Sequence, residues 1–213
     1  MTEDMIIKTI VIGPLQVNCY IIADEASKKA IVIDPGDEPE RIIDVIKENR
    51  LEVEYIICTH GHFDHVGAVI DIKKETGAKV VMHKEDLELY NSAKDAAFLW
   101  GFDAEDQPAP DMYVNDGDII KAGGLSFKVL YTPGHSTGGI CLYSEGIVVT
   151  GDTLFEGSVG RTDLPGGDMG RLKKSFQGLM SLPENTRVLP GHGPASSIGR
   201  EKNANMFAGE FLL

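Results

Sequence analysis

Along the first third of the chain, apolar residues come in short runs cut by turn formers. Residues 5–12, 17–23 and 29–34 read as three strands, with Gly13-Pro14 and the polar stretch 24–27 as the turns between them. Asp34-Pro35-Gly36 stops the third strand. The spacing then becomes helical: Ile42, Ile43, Val45 and Ile46 form a stripe within 38–50, with acids early in the segment. A buried, partly β-branched strand follows at 53–58. After a polar loop comes a helix at 66–76, ended by Gly77. A strand at 79–83 and a helical segment at 84–91 complete this half.

Residues 93–111 are the least periodic part, holding Trp100, Phe102, two prolines and several acids. They read as a loop or short helices joining two halves, with the aromatics as candidates for a substrate wall or lid. Strands then recur at 118–122, 125–131, 140–144 and 147–150. A helix at 168–181 places Leu172, Phe176 and Leu179 on one face. A strand at 187–189 and a helix from Ile198 to the end close the chain. Strand runs followed by helices in each half predict a mixed α and β fold. The 213 residues fit one domain with two similar halves, roughly 1–100 and 110–213.

Composition narrows the partners. The chain is 42% hydrophobic, enough for a substantial core, and its net charge is −13. That charge argues against nucleic acid or an anionic membrane as a partner, because both need a basic face. An anionic small molecule stays compatible, since bound cations reverse the local field. Cys19, Cys58 and Cys141 each lie in a strand-like apolar run and read as buried thiols of a cytoplasmic protein. The N-terminus lacks a basic leader region, and no apolar window approaches a membrane span.

The candidate chemistry concentrates at strand ends. Thr59-His60-Gly61-His62-Phe63-Asp64-His65 follows the strand at 53–58 and packs four metal-binding side chains into six residues. Imidazole and carboxylate are the common ligands of zinc, iron and manganese. In an extended segment residues i and i+2 point the same way, so His60 and His62 can grip one ion. Asp64 and His65 come after the turn and can face a second. Thr132-Pro-Gly-His135, Thr150-Gly-Asp152 and Pro190-Gly-His192 follow three other strands. Five of the six histidines thus fall in such loops; His83, ending a strand, reads as structural. Arg161, in the glycine-rich stretch 157–167, either binds a substrate carboxylate or pairs with Asp163 to fix the loop.

The His-x-His-x-Asp-His run resembles the signature of the metallo-β-lactamase superfamily. The wider sequence, from Asn18-Cys-Tyr-Ile to Pro190-Gly-His192-Gly, is similar to its glyoxalase II-like branch. The resemblance implies an α+β fold, the four-layer αββα sandwich. It implies two divalent metal ions, zinc first with iron or manganese as alternatives. His60, His62 and His135 would hold one ion and Asp64, His65 and His192 the other, with Asp152 bridging. It further implies a hydrolase in which hydroxide held between the ions attacks a small acyl thioester, with Asp64 able to orient it. Asn18 is read as holding a turn. About one helix of chain follows His192, so the helical domain that completes the glutathione site of glyoxalase II is not expected. The alternatives are a persulfide dioxygenase with one iron on His60, His135 and Asp152, or a hydrolase of another ester or lactone. A small molecule is the expected partner, and a homo-oligomer is compatible with the sequence.

Overall fold

The computed structural model describes residues 5–144 and 146–212. Residues 1–4, part of the N-terminal segment read for a leader, and Leu213, at the end of the last expected helix, lie outside them. The first sheet takes six strands in chain order: β1 (Met5–Ile12), β2 (Val17–Asp24), β3 (Lys29–Ile33), β4 (Glu52–Ile57), β5 (Lys79–His83) and β6 (Met112–Val114). The hairpin strands β1 to β3 pair antiparallel; β3 to β6 pair parallel. Parallel pairing needs crossovers, and these are the helices α1 (Pro39–Glu48), α2 (Phe63–Val66), α3 (Val69–Thr76), α4 (Leu87–Asn91) and α5 (Ala93–Leu99).

The second sheet comprises β7 (Ile119–Ala122), β8 (Leu125–Tyr131), β9 (Ile140–Ser144) and β10 (Ile147–Gly151) from one continuous run. After a two-stranded ribbon, β11 (Leu154–Phe155) with β12 (Ser158–Val159), and helix α6 (Met169–Leu179), it gains β13 (Arg187–Pro190) and β14 (Ser196–Ser197). Helices α7 (Ile198–Ala204) and α8 (Ala208–Phe211) follow.

Three apolar clusters define the layers. Ile22, Ile31, Ile33 and Ile57 of the first sheet meet Phe127, Val129, Leu142 and Val149 of the second. The other face of the first sheet packs Ile21, Val32 and Ile56 against Ile42, Ile46, Val69 and Ile72 of the helices. The outer face of the second sheet packs Cys141 and Val148 against Leu172, Phe176 and Phe211. The order is helix, sheet, sheet, helix, as expected. β3 reads as a continuous apolar run because it is covered on both faces. Burying each such Ile or Phe contributes about 1.5–3 kcal/mol.

Two helices differ from expectation. The one expected at 66–76 begins at Phe63 and breaks between α2 and α3. There Ala68 N–H donates to the Pro35 carbonyl at 2.9 Å instead of continuing the helical ladder. The C-terminal helix is likewise interrupted at Asn205, whose side chain donates to Ser158 O and Glu201 Oε2. The segment 93–111 is α5 followed by irregular chain, pinned by Tyr90 Oη to Pro108 O at 2.8 Å and by Gln107, which donates to Gly67 O and accepts from Ile70 N.

Candidate metal centre

Each candidate side chain stands just beyond the carboxyl end of a strand or on the turn that follows. β3 delivers Asp34, β4 delivers His60 and His62, and the first turn of α2 delivers Asp64 and His65. β8, β10 and β13 deliver His135, Asp152 and His192 from the second sheet. Strand ends leave a crevice where loops meet while the strands hold their roots rigid. Asn18 ties the two sheets at this edge: its amide donates to Pro190 O and Gly193 O, both at 2.9 Å. It holds a turn, as read.

The predicted residues gather as two triads, and a third group, Asp34 with His60 and His65, overlaps both. His60, His62 and His135 converge in one, and Asp64, His65 and His192 in the other. His62 Nδ1 lies 2.9 Å from His135 Nε2, and His65 Nε2 lies 3.3 Å from His192 Nε2. Asp152 touches both groups: Oδ1 is 3.4 Å from His65 Nε2, and Oδ2 is 3.6 Å from His135 Nε2 and from His192 Nε2. Asp64 Oδ2 is 3.4 Å from His192 Nε2.

The outward nitrogens set the tautomers. His135 Nδ1 donates to Arg161 O at 2.8 Å, and His192 Nδ1 donates to Leu15 O at 3.0 Å. His65 Nδ1 donates to Asp34 Oδ2 at 3.0 Å. The Thr59 hydroxyl donates to Asp34 Oδ2 at 2.7 Å and so accepts from His60 Nδ1 at 3.0 Å. Four imidazoles therefore turn Nε2 inward, while His62 presents Nδ1.

This arrangement fits divalent cations. The inward nitrogens face one another at 2.9 and 3.3 Å, so each pair must share either a proton or a cation. Ligands of a tetrahedral ion with bonds near 2.1 Å stand about 3.4 Å apart. His60 Nε2 and Asp152 Oδ1, both on the inward side, are buried with no hydrogen-bond partner. Without an ion, burial and the neighbouring imidazoles hold His60 well below its ordinary pKa, and burial lowers His62 to about 4. Burial also pushes His65 down, but Asp152, Asp64 and Asp34 outweigh it and raise the ring well above its usual value.

A cavity of about 460 Å³ opens beside Asp64. Ile12, Leu15, Val17 and Phe63 line one side; Ala97, Phe102 and Ala104 from the segment 93–111 close the other. Phe63 carries Phe102 and Trp100 against its ring, at centroid distances of 5.8 and 6.0 Å. Arg161 is half exposed and forms a two-point pair with Asp163, at 2.7 and 2.6 Å. His83 stacks on Tyr131, 4.4 Å between centroids.

Two buried carboxylates escaped the sequence reading. Asp34, read as a strand stop, is 1% exposed, with φ 52° in the left-handed region. Asp86, read as part of a helix, is equally buried. The available signal was an acid directly after an apolar strand, Asp34 before Pro-Gly and Asp86 three residues beyond β5.

Two sheets in an αββα sandwich, with histidines and aspartates converging at one edge, define a class of metal-binding hydrolases. The model of that class, the metallo-beta-lactamase superfamily, matches residues 12–192, and the chain belongs to this superfamily. A hydroxyacylglutathione hydrolase, GloC, of Haemophilus influenzae is 38% identical over 208 residues, covering 95% of this chain and 98% of that protein. The crystal structure of TTHA1623 in a di-iron-bound form is 42% identical with a TM-score of 0.86, covering 94% of this chain and 99% of that one. ETHE1 from Myxococcus xanthus is 30% identical with a TM-score of 0.82, covering 96% of this chain and 85% of that one.

Proposed function

We propose that the chain is a two-metal hydrolase of a small acyl thioester. The observation that carries this reading is the pair of complete triads sharing Asp152 beside a cavity that mixes apolar side chains with carboxylates. His60, His62 and His135 would hold one ion and Asp64, His65 and His192 the other, with Asp152 in reach of both triads. The donor set of imidazole and carboxylate suits zinc, iron or manganese, and zinc is our first assignment. When bound, the ions supply Lewis-acid polarisation of the carbonyl and a water acidified towards neutral pH. Asp64, at the cavity wall, offers a carboxylate that would orient a water there. Ile12, Leu15 and Phe63 take the acyl or thiol chain and exclude bulk water. Arg161, released from Asp163, contacts a substrate carboxylate.

The likeness to a hydroxyacylglutathione hydrolase supports thioester chemistry. The buried thiols of Cys19, Cys58 and Cys141 support a cytoplasmic location, with a small molecule rather than nucleic acid or membrane as partner. The alternative is a one-iron site on His60, His135 and Asp152, a two-histidine, one-carboxylate set. His192→Ala separates the two. On our reading the variant holds one ion per chain instead of two, and thioester cleavage falls by orders of magnitude. Persulfide-dependent oxygen uptake by wild type, lowered only roughly 10–100-fold in the variant, with no thioester cleavage in either, would overturn it.

A further inference from the structure

Asp86 lies outside both triads. It ends the 3-10 turn Lys84–Asp86 that follows β5. Its carboxylate accepts from Gly61 N–H at 2.9 Å, from the Ser136 hydroxyl at 2.8 Å and from Gly138 N–H. Gly61 separates His60 from His62, and Ser136 directly follows His135. One buried side chain thus ties a ligand loop of the first sheet to a ligand loop of the second. The backbones also close on it. A Cβ at Gly61 would stand 2.9 Å from the Asp86 carbonyl oxygen, and one at Gly138 would stand 2.5 Å from the Asp86 nitrogen. The other triad is held elsewhere, His65 by Asp34 and His192 by the Leu15 carbonyl.

We propose that Asp86 is a positioning residue for one ion site only: it sets the separation of the His60/His62 loop from the His135 loop, and thereby that site's affinity. This rests on the two-ion reading above. A carboxylate can do this because it offers acceptors on both oxygens to three donors. An amide keeps one acceptor and turns two N–H groups toward a loop that already donates. Outer-shell partners of metal ligands act through this kind of orientation.

The test places Asp86→Asn in two single-site backgrounds. His192→Ala keeps His60, His62 and His135; His62→Ala keeps Asp64, His65 and His192. Cobalt(II) affinity of the metal-free chains is measured by chelator competition, with visible absorption reporting the coordination. The expected result is a loss of roughly 10–100-fold in the His192→Ala background and an unchanged affinity in the His62→Ala background. Equal losses in both, or none in the first, overturn the proposal. If Asp86→Asn does not fold, Ser136→Ala removes one of the three hydrogen bonds. It should give a smaller loss with the same selectivity, and no loss there also overturns the proposal. If neither background binds cobalt before Asp86 is changed, the two-ion reading falls and takes the proposal with it.

Discussion

Asp34→Asn tests how a buried acid outside the triads governs the metal site. Asp34 accepts from Thr59 N–H and the Thr59 hydroxyl, both at 2.7 Å, and from His65 Nδ1 at 3.0 Å. The amide oxygen can replace one acceptor. Its NH₂ then faces Thr59 Oγ1 and His65 Nδ1, and it donates where it should accept. His65 answers by moving its proton to Nε2, the nitrogen that faces Asp152 and His192. A ligand lone pair is thereby lost without losing a ligand. Losing charge-assisted hydrogen bonds costs the metal-free fold about 1–3 kcal/mol. The tautomer shift should weaken the Asp64/His65/His192 ion by roughly 10–100-fold, about 1.4–2.7 kcal/mol. Asp34→Ala gives the contrast. It leaves three buried donors unpaired and should cost more stability, about 3–5 kcal/mol, without imposing a tautomer. The assays are metal affinity by chelator competition, urea unfolding of metal-free protein, and ¹⁵N chemical shifts of the His65 ring. An asparagine variant that binds both ions within about twofold of wild type, with His65 still protonated at Nδ1, would refute the reasoning.

Two further outcomes follow from the same geometry. Arg161→Ala should raise KM for anionic thioesters about 3–10-fold while lowering kcat less, because the contact reaches a non-reacting part of the substrate; unchanged KM with normal metal content assigns Arg161 to its pair with Asp163 alone. In metal-free protein the urea midpoint should fall as pH drops from 6.5 towards 4. Over that window the unfolded chain takes up protons at His60 and His62, whose folded pKa values are depressed, to about 4 for His62. His65, raised in the fold, contributes stability that is fully present below 6.5 and lost as pH rises through its folded value. A midpoint that stays flat between pH 6.5 and 4 would contradict this assignment of the buried rings.

The strand frame was legible because β3, β5 and β10 carry near-continuous apolar runs and β8 alternates apolar with polar residues, each between turn formers. The short elements were not. β6, β11, β12 and β14 have two or three residues each, too few to show a period, and they form only because a neighbour offers an open edge. The break at Ala68 is also non-local: its N–H is captured by Pro35, a partner no local window contains. The same limit applies at the site. The ligand types stand in the motif, but the choice of Nδ1 for His62 depends on His135, 73 residues away. Asp34 and Asp86 look like ordinary loop acids until folding removes their water.

Trp100 is the chain's one tryptophan. It is 53% exposed, and its ring rests 6.0 Å from Phe63, the residue that opens the helix bearing Asp64 and His65. The molecule therefore carries its own optical reporter one ring away from the cavity wall. An apolar ligand that closes the aromatic group of Phe63, Trp100 and Phe102 strips water from the indole and shifts its emission to the blue. An ion whose near-ultraviolet bands overlap the indole emission dims it by energy transfer, whereas zinc, which has no such bands, leaves it bright. Occupancy of the cavity and of the metal site can thus be followed in one cuvette, without a label and before any substrate is known.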